Sequence, residues 1–425
     1  MSAPIRPARH RRILAFLGPG LITGASDDDP SGIATYAVAG ASFGFATLWT
    51  APLTFPLMAA VQLICARIGL VSGMGLAGVL RRHYPRALLY PVVGALAVAN
   101  TINVGADLGA IAAALGLLVP VRPGVLVLPV AAVIVAVQVW GSYRLIERTF
   151  RWLTLSLFAY VLAALFAHPD LRAVARGTVL PTLRWDADFL STLVAVLGTT
   201  ISPYLFFWQA SQEVEEEKAA GRRAIGRRRG ASEPDLRDAA WDVSVGMAFS
   251  NLVMYFIILA TAATLFRAGH RHIETAADAA QALRPLAGDA CFVLFALGLI
   301  GTGFLAVPIL SGSAAFALAE AGGWRSGLDL RPHRARRFYL VIALSTGIGV
   351  LVNFTSVGAI TALFWTAVIN GFLAPPLLVA IMLVSGNRAV MGEHVNGRWL
   401  NALGWAATAA MFAAAVGLVI TARRG

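Results

Sequence analysis

Three consecutive aspartates, Asp27, Asp28 and Asp29, interrupt the first apolar stretch of the chain immediately before Pro30. Proline lacks a backbone donor and clashes with the carbonyl four residues back, so the sequence predicts a helix break that frees main-chain oxygens around Ser26. Carboxylate and carbonyl oxygens sheltered from solvent are the ligands that a hard cation prefers. The alternative interpretation is that the aspartates lie at a membrane surface and cap a helix starting at Pro30.

A second proline, Pro203, interrupts another apolar stretch, and Gly198, Thr199 and Ser202 stand just before it. Alone this pattern is weak, because kinked helices with proline are common in membranes. Interrupted helices in corresponding positions of two halves are, however, the best sequence indicator of a transport site near the bilayer midplane. The two breaks together therefore predict one ion site.

Polar residues inside other apolar stretches are few. Asn100, Asn103 and Asp107 follow the i, i+3, i+7 spacing of one helical face. A charged residue at membrane depth is expected to face the protein interior or an aqueous path, so this face is a candidate for the ion pathway. A structural hydrogen bond to another helix is the alternative. Asn370 is a further candidate for the same cavity.

The composition indicates which elements position these residues. Of 425 residues, 58% are hydrophobic and only 13% are charged. In average soluble domains roughly a quarter of the residues are charged, so the composition argues against a soluble multidomain enzyme and predicts a polytopic helical membrane protein. About 20 apolar residues cross a bilayer. By that measure we predict eleven spans, at 13–40, 46–70, 88–113, 117–139, 149–168, 189–212, 241–267, 285–320, 338–354, 357–385 and 399–421.

The net charge of +12 is explained by the position of the arginines. They concentrate before the first span and after the second, fourth, sixth, eighth and tenth, which lie on one side if eleven spans alternate. That side is cytoplasmic by the positive-inside rule, which predicts a cytoplasmic N-terminus in a cell inner (plasma) membrane. Nucleic-acid binding is the weaker account, because the arginines sit in short loops without interleaved aromatic residues.

The two interrupted spans are the first members of two consecutive groups of five. An odd group size makes the second group inverted relative to the first. The predicted fold is therefore an all-α polytopic membrane protein with two inverted five-helix repeats and broken helices 1 and 6. We place the repeats at about 13–168 and 189–385, followed by an extra helix at about 399–421, in one transmembrane domain spanning 1–425.

The motifs at the breaks resemble those of the NRAMP family of divalent metal-ion transporters. Residues 29–32 read Asp-Pro-Ser-Gly where the family has Asp-Pro-Gly-Asn, and residues 202–204 read Ser-Pro-Tyr where it has Met-Pro-His. The stretches 301–308 and 106–108 also look like family segments. The resemblance covers nearly the whole chain and implies a LeuT-like fold and metal transport by alternating access.

The resemblance also implies the residues of the metal site. They are the Asp29 carboxylate, main-chain oxygens near Ser26 and Thr199, and the positions of Gly32 and Ser202, where the family has asparagine and a thioether. Sulfur favours soft metals, whereas carboxylate, carbonyl and water suit Mg²⁺ and Mn²⁺. The loss of two side chains also widens the expected cavity, which suits an ion that keeps its waters.

The chain therefore looks most like the NRAMP-related magnesium transporter branch, importing Mg²⁺ and also Mn²⁺. The alternative is a proton-coupled Mn²⁺/Fe²⁺ transporter of the family. Where the resemblance places titratable groups of a proton route, this chain has Tyr204, Gln209, Asn100 and Ala110, and only Asp107 remains. We therefore expect transport without proton coupling. Possible cavity or pathway residues are Asp28, Tyr204, Asn100, Asp107 and Asn370.

Two other classes of protein fit less well. A sodium-coupled amino-acid transporter would meet its substrate carboxylate with three aspartates, and an intramembrane aspartyl protease would need a second aspartate poised as a dyad. We therefore predict no enzyme activity, no cofactor, no nucleic-acid ligand and no obligate protein partner. The predicted partners are a divalent metal ion, as substrate, and the lipid bilayer.

Overall fold

The computed structural model describes residues 19–140, 155–222, 224–328, 330–355 and 357–423, and every regular element in these ranges is helical. The principal helices are α1 (Pro19–Asp27), α2 (Pro30–Phe43), α3 (Thr50–Ser72), α4 (Leu76–His83), α5 (Arg86–Leu118), α6 (Pro123–Trp140), α7 (Phe158–Phe166), α8 (Leu171–Val179), α9 (Ala187–Thr200), α10 (Pro203–Ala219), α11 (Glu233–Thr261), α12 (Cys291–Gly322), α13 (Arg336–Val352), α14 (Ala359–Ser385) and α15 (Arg398–Ala422). Short helical turns connect them at Gly44–Thr47, Leu155–Leu157, Ile225–Arg228, Ala262–Phe266, Ala276–Ala280, Gln281–Leu283, Arg284–Ala287, Gly288–Ala290, Pro332–Arg334 and Arg388–Met391.

The helices confirm a membrane protein with many spans. Eight helical stretches in the described ranges are long and apolar enough to cross a bilayer: Thr50–Ser72, Arg86–Leu118, Pro123–Trp140, Ala187–Ala219, Glu233–Phe266, Ala276–Gly322, Ala359–Ser385 and Arg398–Ala422. The other three predicted spans are shorter where the structure describes them. The first is divided into α1 and α2, and the ninth is α13, with 17 residues. Residues 13–18 of the first span and 149–154 of the fifth lie outside the described residues.

Both predicted helix breaks are present, at α1–α2 and α9–α10. Pro30 and Pro203 are the first residues of α2 and α10, and the residues before them, Asp29 and Ser202, are extended with ψ of 169° and 125°. This follows from the clash between the proline ring and a helical preceding residue. The fold class predicted from the sequence is thus confirmed in its helical and broken-helix features, while the residue limits of the two repeats stay a prediction.

Glycines let the first half of each broken helix approach a neighbouring helix closely. A side chain at Gly24 of α1 would collide with the backbone of Gly246 in α11, and one at Gly198 of α9 would collide with the backbone of α14 at Ala367 and Gly371. Small residues are what permit such close backbone contact between membrane helices. The amide of Gly20 also donates to Asp242 Oδ2 of α11 at 2.7 Å. α1 is therefore held against α11.

The helix breaks lie between two apolar clusters. Ile33 and Tyr36 of α2 belong to one cluster of buried side chains, whereas Ile201 and Tyr204 at the second break belong to the other. Large apolar side chains elsewhere are exposed, among them Leu128 of α6 and others on α7, α13 and α15. An exposed apolar surface of this kind suits lipid, and the polar residues of the breaks stay inside the protein.

Candidate metal site

Asp29 caps α2 from inside the protein. Its Oδ1 atom accepts hydrogen bonds from the Gly32 amide and the Ser31 hydroxyl, each at 2.7 Å, and the residue is 1% exposed. Helix N-termini favour a negative charge, so the cap supports an ionised carboxylate in an apolar setting. An aspartate therefore caps the helix that starts at Pro30, as in the alternative interpretation, and it is buried inside the protein.

The two prolines free one carbonyl each at the breaks. In a helix the carbonyl of residue i accepts from the amide of residue i+4, and Pro30 and Pro203 have no amide hydrogen to offer Ser26 and Thr199. Hydroxyl groups replace these donors. The Tyr204 hydroxyl donates to Ser26 O at 2.8 Å, and the Ser202 hydroxyl donates to Thr199 O. The freed oxygens predicted from the sequence are therefore present and buried.

The five residues implied as metal ligands lie at one place. Tyr204 Oη, bonded to the Ser26 carbonyl, is also 3.4 Å from Asp29 Oδ2. A Cβ atom at Gly32 would lie 3.2 Å from Thr199 Oγ1, so the end of α9 adjoins the start of α2. Ser202 joins this group through its bond to Thr199. The structure thus brings both breaks together around one carboxylate and two freed carbonyls.

Gly32 supports the Asp29 carboxylate and does not stand at the site as a side-chain ligand. It has no side chain to coordinate an ion, and its amide orients Asp29 instead. The space that a side chain would fill is also occupied, since a Cβ atom there would lie 3.3 Å from Asp27 O and 3.4 Å from the Tyr36 ring. The expected widening of the cavity is therefore not present beside Gly32, because Tyr36 and Thr199 pack into the gap.

The other two aspartates of the triplet face a different helix. The Ser250 hydroxyl of α11 lies 2.7 Å from Asp27 Oδ2 and 3.2 Å from Asp28 Oδ1. Asp27 Oδ1 and Asp28 Oδ2 are buried without a hydrogen-bond partner in the described part of the chain. Within the same residues, no three His, Cys, Asp or Glu side chains gather as a metal-binding group. The triplet is therefore not one three-carboxylate site, and Asp28 is bonded toward α11.

The polar residues on one face of α5 differ in whether their side chains have hydrogen-bond partners. Asn100 donates to Leu310 O of α12 at 3.0 Å, which is the structural hydrogen bond given as the alternative. Asn103 and Asp107 are buried, and none of their side-chain polar atoms has a partner among the described residues. Asp107 lies on α5, which packs against α2. The spacing of Asn103 on the same face indicates it as a further candidate beside Asp107.

Side-chain hydrogen bonds also connect α1 to α10 at some distance from the helix breaks. The Thr23 hydroxyl donates to Gln209 Oε1 at 2.6 Å, and Gln209 Nε2 donates to Glu213 Oε1 at 3.1 Å. All three residues are buried. Asn370 of α14 is also buried, with an amide nitrogen that lacks a partner in the described residues. No sequence pattern indicated Thr23 or Ser250, because isolated hydroxyl residues are frequent in membrane helices.

Paired broken helices with freed carbonyls and a buried carboxylate between them are typical of a membrane transporter. The sequence profile described as "Natural resistance-associated macrophage protein-like" matches residues 20–421. The chain belongs to this Nramp family.

Individual relatives agree with this assignment. The divalent metal cation transporter MntH of Klebsiella pneumoniae is 28% identical over 404 residues, covering 93% of this chain and 91% of that protein. MntH of Pectobacterium carotovorum is 27% identical over 398 residues, covering 92% and 90%. Curated relatives of nearly full length are therefore named as divalent metal cation transporters.

Solved structures share the fold. The Eremococcus coleocola manganese transporter, solved with an aromatic bis-isothiourea substituted compound, matches with a TM-score of 0.75 at 18% identity, covering 99% of this chain and 88% of that one. Mhp1, a nucleobase-cation-symport-1 family transporter, matches with a TM-score of 0.58 at 14% identity, covering 96% and 93%. At these identities the likeness concerns the fold.

Proposed function

We propose that this protein carries a divalent metal cation across the membrane by alternating access, with the cation held between the two helix breaks. The proposal rests on one observation: the Asp29 carboxylate and the freed carbonyls of Ser26 and Thr199 are buried together at the two helix breaks. A carboxylate supplies the charge and carbonyl dipoles supply the remaining ligands that a hard divalent ion needs. Asn103 and Asp107 are further buried polar residues on α5, which packs against α2.

Mn²⁺ is the substrate that we place first. The structurally similar Eremococcus coleocola protein is named as a manganese transporter, which favours the Mn²⁺/Fe²⁺ alternative over magnesium, and the oxygen ligands at the breaks suit manganese. Mg²⁺ is a second candidate, supported by a specific observation: position 202 supplies a hydroxyl rather than sulfur, and position 32 supplies no ligand side chain. Both ions accept carboxylate, carbonyl and water ligands, so the ligand set alone favours neither of them.

Uptake into lipid vesicles tests this proposal. Vesicles containing the purified protein are expected to accumulate Mn²⁺, and Mg²⁺ in excess is expected to compete for the same site. Protein-free vesicles give the background rate. Failure to take up either ion would contradict the proposed function. Mg²⁺ uptake at saturating rates with no Mn²⁺ uptake would reverse the order of the two substrates.

We further propose that metal entry is not obligatorily coupled to protons. The family's histidine positions on the sixth helix, as implied by the resemblance, hold Tyr204 and Gln209, which do not titrate near neutral pH. Membrane potential alone gives about 4.6 kcal/mol for a doubly charged ion at 100 mV, calculated from about 2.3 kcal/mol per charge. This is enough for substantial accumulation without a coupled ion.

The expected result is uptake without stoichiometric acidification. Vesicles loaded with a pH-sensitive dye, with the membrane potential clamped by a potassium gradient and valinomycin, are expected to show metal entry and an unchanged internal pH. Acidification proportional to uptake would contradict this prediction and would favour the proton-coupled alternative, with Asp107 as the remaining acidic residue on α5.

The remaining features of the proposal follow from the class of protein. We propose that the protein lies in the plasma membrane with a cytoplasmic N-terminus, in agreement with the distribution of arginines. We also propose that it acts without a cofactor, catalytic activity, nucleic acid or obligate protein partner. Relatives named as transporters support the absence of an enzymatic role.

A further inference from the structure

Tyr204 connects the two helix breaks. It is the second residue of α10 and is 1% exposed. Its main-chain oxygen accepts from the Ser313 hydroxyl of α12 at 2.7 Å, which fixes the start of α10. The side chain reaches the other break, where its hydroxyl donates to Ser26 O at 2.8 Å and lies 3.4 Å from Asp29 Oδ2. One phenol oxygen is therefore in contact with both ligand groups of the first break.

This position conflicts with coordination of a cation by the same two groups. The conflict is one of position, because a carbonyl oxygen has two lone pairs and could accept the phenol proton and bind an ion at once. The Tyr204 hydroxyl oxygen, however, lies 2.8 Å from Ser26 O and 3.4 Å from Asp29 Oδ2, in the space that an ion bridging these two oxygens would take. A cation that bridges Ser26 O and Asp29 must therefore displace the hydroxyl from the carbonyl. The Ser26 hydroxyl cannot replace Tyr204 as the donor to this carbonyl, because its one proton is donated to Ile22 O at 2.7 Å.

We propose that the Tyr204 hydroxyl is an internal competitor of the transported cation, and that it sets the affinity of the site. It occupies the freed Ser26 carbonyl when no ion is bound and releases that carbonyl to the ion. This inference rests on the proposed function, because it takes the Asp29 site as the place where the cation binds.

Competition between the Tyr204 hydroxyl and the cation lowers the affinity of the site equally for all hard cations. The bond that must be broken is the same for Mg²⁺ and Mn²⁺, so both affinities fall by the same factor. The Ser202 hydroxyl makes an equivalent bond to Thr199 O at the second break. A site whose freed carbonyls are both satisfied internally works at higher ion concentrations than a site whose carbonyls are open.

Tyr204→Phe tests the inference, because it removes the hydroxyl and keeps the ring. Binding to the full-length purified protein is measured with Mn²⁺, from the electron paramagnetic resonance signal of the free ion, and with Mg²⁺ by competition. In this variant the Ser26 carbonyl has no hydrogen-bond donor when the site is empty, whereas a bound ion satisfies it. The substitution therefore destabilises only the ion-free state, and the Kd for both ions is expected to fall by roughly five- to ten-fold. The ratio of the two Kd values is expected to stay the same.

Tyr160→Phe is the matched control. Tyr160 of α7 is equally buried, and its hydroxyl has no partner within the described residues. Its loss is expected to leave both Kd values unchanged. Melting temperature without added metal provides a second measurement, since a merely structural role for Tyr204 would lower it without tightening metal binding.

Weaker binding by Tyr204→Phe would identify the phenol as a ligand and overturn the inference, as would an unchanged Kd. Asp29→Asn in the same assay separates the inference from the proposed function. If Asp29→Asn loses Mn²⁺ binding while Tyr204→Phe does not tighten it, the site stands and only the inference fails. If Asp29→Asn binds Mn²⁺ as tightly as the unmodified protein, the proposed site itself is wrong.

Discussion

Asp29→Asn is expected to reduce metal transport by about 100-fold or more while the protein still folds. Attraction between two unit charges 4 Å apart is about 4 kcal/mol at an effective dielectric constant of 20, and a divalent ion doubles it. Asparagine is as good a helix N-cap as aspartate, so the cap on α2 is retained and only the charge is removed. Mn²⁺ uptake into vesicles, normalised to the amount of folded protein, measures the effect.

Asp27→Asn is the matched control for this prediction. It removes a carboxylate that is equally buried and only two residues away, but bonded to Ser250 of α11 rather than placed between the breaks. We expect it to retain much more uptake than Asp29→Asn. If the two variants lose transport equally, the assignment of the cation to Asp29 alone is contradicted. Near-normal uptake by Asp29→Asn would refute the site.

Ser202→Met is expected to change ion preference more than any other single substitution at the site. Ser202 stands where the resembled family has a thioether, and sulfur favours soft cations such as Cd²⁺ over Mg²⁺. The substitution also removes the hydroxyl that occupies Thr199 O. The ratio of Cd²⁺ to Mg²⁺ affinity is expected to rise by at least about ten-fold, or about 1.4 kcal/mol. Competition of each ion against Mn²⁺ uptake measures the ratio.

Ser202→Leu controls for the larger side chain and for the loss of the hydroxyl, because leucine has a similar size and no sulfur. Its ratio of Cd²⁺ to Mg²⁺ affinity is expected to stay near that of the unmodified protein. An equal rise in both variants would show that sulfur is not the cause. Adding Gly32→Asn would restore the family pair, but an amide there must displace Thr199 and the Tyr36 ring, so the single substitution is the clearer experiment.

The hydroxyl groups at the breaks give a physical account of how the site persists in the protein interior. A freed carbonyl buried without a partner costs about 1–3 kcal/mol. Tyr204 and Ser202 remove this cost at Ser26 and Thr199, and both residues come from the start of α10. A cation must therefore compete with the protein's own donors, so the affinity depends on α10 as well as on Asp29.

The sequence by itself determined the features that depend on local covalent chemistry. Composition identified a membrane protein, because lipid exposure requires apolar side chains. Pro30 and Pro203 determined where the two helices break, since a missing amide and a ring clash act within four residues of the proline. The same local effect freed the carbonyls of Ser26 and Thr199, and the adjacent motifs indicated the Nramp family.

Only the tertiary structure decided which partners these groups meet. Tyr204 bonds to Ser26 across 178 residues of sequence, and Ser250 draws Asp27 and Asp28 toward α11 across more than 220. Asn100 and Asp107 share one predicted face, yet the first is bonded to α12 and the second has no partner in the described residues. Such distinctions depend on how closely distant helices approach each other. Glycines at the contacts permit that approach, but the residue across the contact is specified by the packing of the whole bundle.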